Sequence, residues 1–81
     1  MMARYFFDHR DGDAFMRDEE GLEYASLERV RDEATTALAE MANDALPGMM
    51  RRELAIEVSD HQRRPVLRAA LWFEIQILSA A

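Results

Sequence analysis

Residues 3–10 alternate under a strong aromatic bias, with Tyr5, Phe7 and His9 on one side and Arg4, Phe6 and Asp8 on the other. A period of two reads as a strand, and aromatic side chains suit a pleated surface. Both faces of this strand are partly apolar. Asp11-Gly12-Asp13 reads as a turn, because Asp-Gly is the strongest short hairpin signal. Residues 14–17 return as a second strand, which can be followed to residue 24 with a break at Gly21. Asp18-Glu19-Glu20-Gly21 is expected to be exposed and to weaken that strand.

The period then changes. Leu27, Val30, Ala34, Leu38, Met41, Ala45 and Leu46 recur at spacings of three and four, which makes one face of a helix. Glu28, Arg29, Arg31, Asp32, Thr35, Thr36 and Glu40 fill the other face. Ser26 is placed as its N-cap, since a serine hydroxyl accepts from a free amide of the first turn. Pro47-Gly48 ends the helix after about five turns.

Period two resumes at residues 54–60, with Leu54, Ile56 and Val58 facing one way and Ala55, Glu57 and Ser59 the other. A polar turn over 60–64 follows, and Pro65 opens a last strand predicted to run to about residue 78. Leu67, Ala69, Leu71, Phe73, Ile75 and Ile77 form its apolar face; Val66, Arg68, Ala70, Trp72, Glu74 and Gln76 form the other. So long a strand predicts a bulge, placed near Ala69-Ala70. The order strand, strand, helix, strand, strand (β-β-α-β-β) predicts an α+β fold: a four-stranded, mostly antiparallel sheet with one long helix packed on one face. Leu27, Val30, Ala34, Leu38 and Met41 are expected to pack on Leu54, Ile56, Val58, Leu71, Phe73 and Ile75.

Eighty-one residues predict a single domain spanning 1–81. A chain of that size buries only roughly 60–65% of its unfolded surface. The absence of cysteine removes disulfides, thiolate nucleophiles and cysteine-type zinc sites. A secreted domain this small would ordinarily be stapled, so the expected location is the cytoplasm. No apolar run approaches a membrane span, and the opening residues lack the form of a signal peptide. The net charge is −6, with sixteen carboxylates against ten basic residues, all arginine. An acidic chain feels no general pull toward nucleic acid or anionic membrane.

Arg4-Tyr5-Phe6-Phe7-Asp8, Arg10-Asp11-Gly12, Asp18-Glu19-Glu20-Gly21 and Arg64-Pro65-Val66-Leu67 together resemble a family of short proteins of unknown function from soil and plant-associated alphaproteobacteria. The likeness covers nearly the whole chain, and the opening motif combined with Asp-Glu-Glu-Gly is its specific part. Members of that family carry glycine where Arg63 stands, so the resemblance implies a turn that can differ here. It also implies the strand-helix-strand order above. It implies no activity and no catalytic residue.

Candidate chemistry is sparse. His9 lies near Asp8, Asp11 and Asp13, but alternation sends Asp8 and His9 to opposite faces, and Asp11-Gly12-Asp13 lacks the carboxylate spacing of a calcium loop. Asp60-His61 could pair as acid and base, yet it falls in a short turn. The glycines at 12, 21 and 48 make no phosphate loop, and Ser26, Ser59 and Ser79 form no nucleophile elbow. Met41, Met49 and Met50 read as core filling and helix-end packing. No enzyme, cofactor, metal site or membrane partner is therefore expected. The leading expectation is a non-enzymatic interaction module that forms a homodimer. One helix covers only one face of such a sheet, which leaves Phe6, Val66, Arg68, Ala70, Trp72 and Glu74 as interface candidates. Pairing of strand edges is a second route to a dimer, and a monomer with Trp72 covered by Met1 and Met2 is the bland alternative. A protein partner remains open. The runner-up is a small regulatory nucleic-acid-binding protein using Arg51, Arg52, Arg63, Arg64 and Arg68, with the acidic total set against it.

Overall fold

The structure is a computed structural model and describes residues 2–79. Strand β1 spans Ala3–Asp11, β2 Ala14–Met16, β3 Leu22–Tyr24, helix α1 Leu27–Ala45, β4 Arg51–Ser59 and β5 Pro65–Glu74. The sheet is antiparallel throughout, in the order β2-β1-β4-β5. The returning strand of the first hairpin is split: β2 pairs His9 with Met16 and Asp11 with Ala14, and β3 pairs Ala3 with Tyr24 and Tyr5 with Leu22. The expected four strands are thus five segments, because Asp18-Glu19-Glu20-Gly21 leaves the ladder instead of continuing it.

Helix α1 begins as the sequence indicates. Ser26 Oγ accepts from the Arg29 amide at 3.2 Å, and Glu28 lies in the first turn, where the helix dipole favours an anion. The helix packs on one face of the sheet. Phe7, Val30, Ala34, Ile56 and Val58 form the core, with Tyr5, Tyr24, Ala37, Leu38, Met41, Leu67 and Ala69 packed against it. Phe7 and Tyr24 meet edge to face with centroids 5.6 Å apart. Among the described residues no helix is long and apolar enough to cross a membrane.

Four details differ from the sequence reading. Leu27 is 53% exposed, not core, because the helix only reaches the sheet one turn later, at Val30. On β5 the core takes Leu67 and Ala69, so the helix lies over the first half of that strand and away from Phe73 and Ile75. The register shift falls between Val58 and Ser59, beside the 60–64 turn, and not at Ala69-Ala70. Strand β5 stops at Glu74 because its neighbour β4 starts at Arg51. The last pairing is Ile75 N–H to Met50 C=O at 2.8 Å, and Ile77 has no strand to join.

Candidate interaction surface

Three of the four segments that carry the sequence resemblance meet at one corner of the sheet, while Arg10-Asp11-Gly12 lies at the far end of β1, in its turn to β2. Between β2 and β3 no strand flanks β1, and Asp18 fills the gap. Its Oδ2 accepts the Phe7 amide at 2.9 Å, its Oδ1 accepts the amides of Glu20 and Gly21, and its own amide donates to Asp8 Oδ1 at 2.8 Å. Gly21 is buried at φ +70°, and a Cβ there would lie 2.8 Å from the Tyr5 carbonyl oxygen. Only glycine fits such a conformation and approach. Arg63 closes the corner from the other hairpin. Its guanidinium stacks over the Phe6 ring at 3.8 Å, reaches Asp8 Oδ1 at 3.3 Å and donates to the Asp18 carbonyl.

Arg63 also answers the question its identity raises. Its amide donates to the Asp60 carbonyl and its φ is +63°. A tight turn followed by a left-handed residue is the pattern of a three-residue hairpin loop, where glycine is usual. The turn therefore keeps its glycine-type conformation. A left-handed non-glycine residue costs about 1–2 kcal/mol, which the side-chain contacts of Arg63 offset.

The sheet face away from α1 carries all six interface candidates but does not gather them. Val66, Arg68, Ala70, Trp72 and Glu74 line one side of β5. Phe6 pairs with Ser59 near the other end of the sheet, whereas Trp72 pairs with Glu53. Phe6 is half-buried beneath Arg63, but Trp72 is 72% exposed. The rest of the face is laced by charge. Glu57 accepts from Arg10 at 3.3 Å and Arg68 at 3.1 Å, and these guanidinium contacts outweigh burial and hold its carboxyl below the usual range. Arg51 pairs with Glu74 at 2.9 Å, and Arg10 also stacks on Phe15 at 4.7 Å. Met1, invoked as a cover for Trp72, lies outside the described residues, and Met2 is exposed.

The two sheet edges differ in kind. One is closed by two three-residue strands, the Asp18 plug and its acidic neighbours. The other is β5, ten residues long, which carries one extra residue at Val66 and is in regular register from Leu67 to Glu74, with Arg68 as its only cation. Ile75 turns its amide toward β4. Backbone groups alternate along an antiparallel strand, so Arg68, Ala70, Trp72 and Glu74 turn theirs toward the open edge. Among the described residues no strand pairs with them.

The five arginines proposed for nucleic acid are dispersed and spent. Arg52 grips Asp11 with two hydrogen bonds, at 2.6 and 3.0 Å, on the helix side of the sheet. Arg64 bonds Asp60 within the turn, Arg63 bonds Asp8, Arg68 bonds Glu57, and Arg51 bonds Glu74. Asp60 is occupied by the amides of Gln62 and Arg64 and is no partner for His61. Among the described residues no three acidic or histidine side chains converge as metal ligands. Sequence reasoning missed Asp18 and Asp8 as structural groups. The only available signal was a conspicuous Asp-Glu-Glu-Gly in a weak strand.

No curated protein and no solved structure matches the chain. Residues 4–72, from the first strand through Trp72 and including every segment of that corner, match the family described as "Domain of unknown function (DUF6894)", and the chain belongs to that family.

Proposed function

We propose that this protein is a non-enzymatic interaction module that acts as a homodimer. The observation that carries the reading is the asymmetry of the sheet: one edge is plugged and acidic, and the other presents a mostly apolar strand, regular from Leu67 to Glu74, whose alternate residues turn open backbone groups outward. Long unprotected edges of this sort pair with another strand, and homodimers are the commonest closed assembly. Support for a non-enzymatic role comes from how the polar groups are used. Asp8, Asp11, Asp18, Glu57 and Asp60 are each engaged by a guanidinium or by backbone amides that hold the fold together. Light scattering behind size exclusion at low micromolar concentration tests the reading. The expected mass is twice the 9.4 kDa of one chain; a monomer mass would sink the proposal.

A further inference from the structure

Resting on that reading, we infer that the two copies join β5 to β5, antiparallel about a two-fold axis through Leu71, so that both sheets become one. Three features of β5 select this register. The first is parity. Only even-numbered residues from Arg68 to Glu74 point backbone groups outward, so a ladder must oppose even to even; an axis at Leu71 meets that condition and sets Leu71 against the partner's Leu71 in a non-hydrogen-bonded pair.

The second is charge. Arg68-Ala69-Ala70-Leu71-Trp72-Phe73-Glu74 reads as a self-complementary string about its centre. In this register Arg68 lies opposite the partner's Glu74, and the row Glu57, Arg68, the partner's Glu74, the partner's Arg51 alternates in sign across the new sheet. Two-fold symmetry supplies that row twice. Centring on Ala70 instead sets Arg68 against the partner's Trp72 and Glu74 against the partner's Val66. Centring on Trp72 sets Glu74 against the partner's Ala70. Neither pairs the charges.

The third is size. Each alanine of β5 meets a ring: Ala70 faces the partner's Trp72 on one side of the sheet, and Ala69 faces the partner's Phe73 on the other. Directly opposed small and large side chains fit without overpacking. Leu67 meets the partner's Ile75, covering a residue that is 46% exposed in the single chain. The axis runs perpendicular to the sheet, so both helices lie on one side and both Trp72 rings on the other.

Cysteine cross-linking tests the register, because the chain has no cysteine of its own. Non-hydrogen-bonded pairs bring Cα atoms to about 4.5 Å, inside the disulfide range. Leu71→Cys should therefore be captured as a disulfide dimer under glutathione disulfide. Ala69→Cys and Phe73→Cys each sit about 13 Å from their own symmetry mate and should cross-link at least about tenfold more slowly alone, but readily when the two variants are mixed. Ala70→Pro is the independent probe. Its amide faces the open edge, so proline removes no bond to β4 and the single chain should keep its fold. Its dimer should weaken at least about tenfold, the loss of one tenfold step being about 1.4 kcal/mol. Faster capture at 69 or 73 alone, or an Ala70→Pro dimer of unchanged affinity, would overturn the inference. A native dimer with no capture at Leu71 would refute β5 pairing and leave the homodimer standing, whereas a native monomer removes both.

Discussion

Asp18 sits where β1 lacks a neighbouring strand, and its carboxylate accepts the Phe7 amide that such a strand would have taken. Burial pushes its carboxyl up, but the amides of Phe7, Gly21 and Glu20, with the Arg63 guanidinium, outweigh it and hold the group below its ordinary value of 3.8. A carboxyl depressed on folding contributes stability that is present above its unfolded pKa and is lost as pH falls through its folded one. Asp18→Ala leaves the half-buried Phe7 amide unpaired and should cost about 1–3 kcal/mol at neutral pH. Urea unfolding across a pH series checks both claims: the gap between native and variant should be widest near neutrality and shrink below 3.8. A gap that stays constant into acid would mean that the ionised carboxylate is not what Asp18 supplies. Glycine at 21 belongs to the same device, since the loop can reach back to Asp18 only by passing against the Tyr5 carbonyl.

Elements with a clean period were legible from sequence, and those set by a neighbour were not. Helix α1, β1 and the inward run Leu54, Ile56, Val58 follow from spacing alone because each buries one face. Strand ends do not follow from spacing. Strand β4 starts at Arg51 and β5 stops at Glu74 because each extends only as far as the other can bond it. Leu27 keeps the helical period yet lies ahead of the sheet, so periodicity alone cannot exclude it from the core. Substitution separates these cases. Ile56→Ala, at 0% exposure, should lose about 2–5 kcal/mol, whereas Leu27→Ala should change stability by about 0.5 kcal/mol or less. Urea midpoints measure both, and a large loss at Leu27 would mean that the helix meets the sheet a turn earlier. The candidate site was legible in part. The complementary string around Leu71 is visible in the chain, but it acquires meaning only once the strand order places β5 at an edge. Phe6 was grouped with Trp72 because alternation gives the face of the sheet and not the distance along it.

Charge acts at the scale of the whole molecule. The net −6 repels a phosphate backbone at long range, and a patch of free arginines would be needed to overcome it locally. The second hairpin holds half of the arginines, yet Arg51, Arg52, Arg63, Arg64 and Arg68 each share a carboxylate at 3.3 Å or less, on different faces. Binding a nucleic acid through them would first break those pairs and leave carboxylates beside the phosphates. Counterion release rewards only cations that are free to neutralise phosphate. A fluorescence-anisotropy titration with mixed-sequence DNA and RNA near physiological salt should therefore show no binding tighter than the non-specific range of about 10⁻⁴ to 10⁻⁶ M. Submicromolar binding that is lost in Arg63→Ala/Arg64→Ala would reverse this conclusion. It would mean that the ion pairs open on contact and that the arginine-bearing turn between β4 and β5, not the open β5 edge, is the working surface.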